Sequence, residues 1–167
     1  MKEHAPVGDH VLETLLLSKA VELERALGVM LEADARQQGL KSQHPAIYDT
    51  SFHAAGITQH IQCISTQIES LLTQAVEQTA GKLPVSESWH QDLIHLASTA
   101  TDDREPLLDA AGAKCLKEAL EFRHIAWSNY AGDLNPPRVF EHIAITVAPV
   151  KAAVTGVRQL FDSSAAP

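Results

Sequence analysis

The chain reads as an all-α, up-and-down bundle of four main helices and one short helix, in a single domain over residues 1–167. Three observations lead there. Only 5% of the residues are aromatic, so the 45% hydrophobic fraction must build its core from Leu, Ile, Val and Ala. That composition favours helices over a β-sandwich. Apolar residues recur at steps of three and four over long stretches, which places them on one helical face. The breaks between these stretches are mostly short and carry Gly, Pro, Asn or Ser, the residues that stop and start helices.

The first pattern covers residues 9–38. Asp9 stands where a cap belongs, Val11, Leu12, Leu15, Leu16, Leu23, Leu27, Leu31 and Ala35 form the stripe, and Gly39 marks the end. A connection around Pro45 follows over residues 41–49. The second helix starts near Thr50 or Ser51, with Ile57, Ile61, Ile64, Ile68, Leu71, Leu72 and Val76 as the cleanest stripe in the chain. Gly81 and Pro84 stop it. Ser88 is placed to cap a short helix, WHQDLIHLAS, whose apolar positions are Trp89, Leu93, Ile94 and Leu96. After a polar turn at residues 102–106, Leu107 and Leu108 lead into a fourth helix over Ala110–Tyr130. Its apolar positions are Leu116, Leu120, Phe122, Ile125 and Trp127, and Gly132 can form a left-handed cap after it. Asn135 can cap the last helix, with Pro136 in the first turn, where a missing N–H costs nothing. Val139, Ile143, Val147, Val150, Val154, Val157 and Phe161 form its stripe, and Pro149 is expected to kink or split it.

Charge narrows the function classes. The net charge is −8, and residues 1–103 supply all of it, with 6 Lys and Arg against 14 Asp and Glu. A general nucleic-acid binder shows a net basic face, so duplex DNA is not an expected partner. A local site meeting a single strand stays open. No run approaches about 18 apolar residues, and MKEHAPVGDH lacks the layout of a signal peptide. The expected location is the cytoplasm, without membrane association, and Cys63 and Cys115 are expected as reduced, mostly buried thiols.

Nine histidines invite a metal, but no two stand three or four apart, the spacing with which one helix grips an ion. His53 and His60 are seven apart, with Asp49 near the first, too far apart along the axis to bind one ion without another helix. CxxC pairs, glycine-rich phosphate loops and a GxSxG elbow are missing too. Neither metal nor cofactor is expected.

The stretch EALEFRHIAWSNYAGDLNPPRV, residues 118–139, is different. Arg123, Trp127 and Tyr130 fall roughly along one helical face, with Arg123 and Tyr130 about 10 Å apart along the axis. His124 and Ser128, four apart, form the neighbouring stripe. Arg123 offers a planar fork to a phosphate and His124 a group that exchanges protons near neutral pH. Phosphodiester cleavage wants that combination. A packing role is the other reading: Trp127 and Tyr130 close the core, Arg123 pairs with Glu118 or a carboxylate across the bundle, and His124 is solvated.

This stretch, with SWHQDLIHLAS and REPLLDAAGAKCLKEALEFRH upstream and PPRVFEH downstream, resembles the HepT-like helical proteins over about residues 86–142. These are toxins of two-gene toxin–antitoxin modules, partnered by a nucleotidyltransferase of the MntA type. The resemblance implies a homodimeric, metal-independent endoribonuclease acting on RNA, with an arginine and a histidine–any residue–tyrosine motif as the catalytic set. Arg123 takes the arginine place and Tyr130 the tyrosine place, which in the family is also the residue silenced by AMPylation. Ser128 stands in the histidine place, and serine is no acid or base at neutral pH. His124, one turn earlier, is the nearest substitute. The alternative reading is a non-catalytic helical protein-interaction module derived from that family.

Overall fold

The computed structural model describes residues 7–81, 83, 86–102, 104–128 and 134–162, and for residues 7–9 and 124–128 the backbone alone. Five helices appear in it: α1 (Val7–Gln43), α2 (Thr50–Ala80), α3 (Trp89–Ala97), α4 (Ala110–Ser128) and α5 (Pro136–Asp162). The expected all-α bundle of four main helices and one short one is what forms.

α2 is the central element. It packs against all four other helices, and Ile57, Ile61, Ile64, Ile68, Leu71, Leu72 and Val76 are each 0–1% exposed. Asp49 caps it by accepting a hydrogen bond from the Phe52 N–H at 2.9 Å, which satisfies one of the orphan donors at a helix start. Gly81, at φ +81°, ends it as expected. At α5 the Asn135 side chain accepts from the Arg138 N–H at 3.4 Å, and its carbonyl accepts from the Val139 N–H at 3.1 Å.

Several expectations need correction. α1 begins at Val7, ahead of Asp9, and runs through Gly39 to Gln43. Glycine weakens a helix by about 1 kcal/mol without ending it. Pro45 ends it by disfavouring helical geometry at His44. The buried stripe of α1 is Leu16, Ala20, Leu23, Leu27 and Met30, while Val11, Leu15 and Leu31 are exposed. Ser88 stands before α3 but its side chain makes no cap bond. Its carbonyl accepts from the Gln91 and Asp92 N–H groups instead, and the Ser86 hydroxyl donates to Asp92 at 2.7 Å. Pro149 does not split α5, which runs unbroken past it. Pro149 and its neighbour Val150 are buried, so packing on α1, α2 and α4 offsets the lost hydrogen bond. Cys63 is exposed, on the solvent side of α2, and Cys115 is half-buried.

The expected end of α4 at Tyr130 and its Gly132 cap fall on residues 129–133, which lie outside the described residues. Among the described helices α5 alone is long and apolar enough to cross a membrane, with mean hydropathy 1.2 over an 18-residue window that is 44% buried. Its buried stripe, from Val139 to Val157, is that of a helix at the centre of a bundle.

Two close approaches fix the far end of the molecule. Leu107 and Leu108, 2% and 1% exposed, turn the chain inward, and their N–H groups donate to the Ala97 carbonyl. Gly156 of α5 lies so near this turn that a β-carbon there would stand 2.3 Å from the Leu107 carbonyl oxygen. Beside it Arg104, 7% exposed, donates to Thr79 Oγ1 at 2.7 Å and to the carbonyls of Leu96 at 2.8 Å and of Thr99 and Glu105 at 3.2 Å each. It thereby ties the end of α3 to the end of α2.

Candidate functional site

Arg123 follows the buried Phe122 on α4 and reaches across the bundle to α2. Its partner is Glu69, which lies on the core side of α2, four residues after the fully buried Ser65, and is 6% exposed. A carboxylate in that position needs a cation and hydrogen bonds, or it gives up its charge. The guanidinium supplies them as a two-toothed clamp: Nη1 donates to Oε2, and Nη2 donates to Oε1 at 3.3 Å. The packing reading of the sequence named Glu118 or a carboxylate across the bundle, and Glu69 is such a carboxylate.

A third group joins from α3. His90 Nδ1 lies against Glu69 Oε1, the oxygen that Arg123 Nη2 also reaches. The contact is an ion contact rather than an aligned hydrogen bond, since Nδ1 is buried without a well-directed acceptor. The His90 ring also packs on Trp89, with ring centroids 3.6 Å apart. Between α3 and α4 opens a cavity of 480 Å³ whose walls include His90, Ile94, Lys117, Leu120, Glu121 and Arg123. Chemically the walls are mixed: Arg123 and Lys117 present cations beside the carboxylates of Glu69 and Glu121, Ile94 and Leu120 are apolar, and the His90 ring edges the opening.

The sequence reading located Arg123 and missed its companions. Glu69 and His90 belong to two other helices, so no single-helix pattern connects them with Arg123. One signal was present: Glu69 interrupts the stripe of α2 at a core-facing position, where a carboxylate demands a partner. The side chains of His124 and Ser128, and all of Tyr130, lie outside the described residues, so the structure does not bring them to the cavity or away from it. Among the described residues no three His, Cys, Asp or Glu side chains gather as a metal-holding group.

A second polar cluster forms around His53, near the start of α2. His53, 2% exposed, has Nε2 2.9 Å from Asp34 Oδ1 and Nδ1 2.9 Å from the Tyr48 hydroxyl. Its ring packs on Phe140, with centroids 4.6 Å apart. Of the neighbours that the sequence set near His53, Asp49 caps α2 and His60 lines a separate groove between α1 and α2. His53 therefore joins the α1–α2 connection to α5.

No curated protein and no solved structure matches the chain. A family model described as HepT-like protein does match, over residues 56–162. The match runs from the second turn of α2 to the end of α5, so every element that contributes Glu69, His90 or Arg123 falls inside it. Extending over more than half of the chain, it makes this protein a member of the HepT-like family.

Proposed function

We propose that the protein is the toxin component of a toxin–antitoxin module, a metal-independent endoribonuclease that works in the cytoplasm as a homodimer, with an MntA-like nucleotidyltransferase as its antitoxin. Family membership supports the lineage. The observation that carries the activity is the placement of Arg123, fixed by Glu69 on the wall of a cavity large enough for a nucleotide unit. In this reading the RNA 2′-hydroxyl attacks the adjacent phosphorus, and Arg123 stabilises the charge that develops on the phosphorane. His124 moves a proton, Tyr130 orients the phosphate and accepts AMP from the antitoxin, and Ser128 fills the histidine place without its chemistry.

A second reading has its own support. Glu69 engages both Arg123 and His90, which neutralises much of the positive charge at the cavity, and the chain is acidic overall. A non-catalytic interaction module derived from the family accounts for both. Induction of the protein alone in a bacterial host, combined with cleavage of purified RNA in EDTA, separates the two. Growth arrest with metal-independent cleavage supports the toxin. Inert protein whose Ser128→His variant also leaves RNA intact supports the interaction module, whereas a large gain from Ser128→His identifies a weakened enzyme.

A further inference from the structure

Internal attack on RNA moves two protons. As the bond from O2′ to phosphorus forms, the 2′-hydroxyl loses its proton. As the bond from phosphorus to O5′ breaks, the departing oxygen gains one. The products are a 2′,3′-cyclic phosphate and a free 5′-hydroxyl, and no oxidant or cofactor enters the balance. One helix offers only His124 for this work, because Ser128 does not titrate near neutral pH.

We infer that His90, positioned by Glu69, is the base that removes the 2′-hydroxyl proton, a role that rests on the ribonuclease reading above. Four observations converge on it. His90 Nδ1 and Arg123 Nη2 meet on one oxygen, Glu69 Oε1, so a phosphate held by Arg123 sits beside the imidazole. Nδ1 is buried against the carboxylate, which selects the tautomer with its proton on Nδ1 and leaves the lone pair on Nε2. The ring packs on Trp89 at a tilt of 34°, which limits its rotation, and its side chain is 36% exposed, open to an entering ligand. Ile94 and Leu120 supply apolar walls, and Lys117, which makes no ion pair among the described residues, offers a neighbouring phosphate a second cation.

Packing alone accounts for less of this. Arg123 with its two-toothed clamp already balances the charge of Glu69, so the His90 contact is not needed to neutralise the carboxylate. A histidine held at Nδ1 and open to a cavity is the arrangement in which a carboxylate orients a general base.

The test uses the full-length protein, an RNA oligonucleotide and EDTA. His90→Asn keeps an N–H donor where Nδ1 stands but has no ring lone pair. It is expected to lower kcat by 10²- to 10⁴-fold, roughly the range for a lost acid or base, with KM little changed and the acid-side limb of the pH profile gone. Imidazole added to His90→Ala is expected to restore cleavage, a result that a structural role does not give. His90→Gln and thermal melts check that any loss is not unfolding. An active wild-type protein whose His90→Asn variant keeps its rate within about threefold, with the pH limb intact, overturns this inference and leaves the ribonuclease reading standing. A wild-type protein inert toward RNA overturns the ribonuclease reading, and the proton transfer with it.

Discussion

Arg104 and Arg123 meet burial in opposite ways, and two expected outcomes follow. Among the described residues Arg104 pairs with no carboxylate: one hydroxyl and three carbonyl oxygens take its donors, and burial pushes its guanidinium pKa down from the ordinary value. Arg104→Met removes all four bonds and leaves the carbonyls without their donor. We expect it to cost about 2–4 kcal/mol of stability, measured by urea denaturation. Arg123 is instead committed to Glu69. On the proposed ribonuclease function, Arg123→Ala is expected to remove about 2–4 kcal/mol of transition-state stabilisation, read from kcat/KM on RNA. It also strands Glu69, so stability should fall by about 3 kcal/mol. Arg123→Ala combined with Glu69→Ala should recover much of that stability while activity stays lost. A double mutant no more stable than Arg123→Ala contradicts the clamp. Arg123 was visible in the sequence because a polar cluster breaks an apolar helix there. Glu69 was not, since its partner lies 54 positions away and periodicity carries no information across helices.

The helices themselves were legible wherever a stripe and its stops agreed. The isoleucines of α2, Gly81 and the Asn135–Pro136 start all behave as their spacing dictates. Gly39 does not end α1 and Pro149 does not split α5, because each is a local signal that its surroundings overrule: α1 continues until Pro45 intervenes, and α5 stays unbroken through its proline where it packs on three helices. The fit of α5 against the α3–α4 turn was beyond reach of the sequence. Gly156 reads as a helix-weakening residue, yet its missing side chain is what lets α5 touch the Leu107 backbone. Gly156→Ala, which would stabilise an isolated helix, is therefore expected to destabilise the protein by about 1–3 kcal/mol. A higher melting temperature for this variant in calorimetry would contradict the contact.

On the scale of the whole molecule, exposed apolar side chains sit on α1, in the α1–α2 connection and at the start of α2, among them Val11, Val21, Val29, Ile47 and Phe52. The proposed homodimer would cover some of them, and light scattering at tens of micromolar should return twice the mass of 18.1 kDa. Stability is also unevenly shared out. α3 has nine residues and, among the described helices, packs on α2 and α4 alone, and a helix that short does not persist in water unaided. It depends on Arg104 at its end and on the Glu69 contact at its start. In hydrogen exchange its amides should therefore open as a separate, low-energy unit, well before those of α2. Each opening event carries His90 away from Glu69 and dismantles the cavity, while the four long helices stay folded. Warming should consequently extinguish the proposed RNA cleavage several degrees below the global melt, and Arg104→Met should widen that gap from a position outside the cavity.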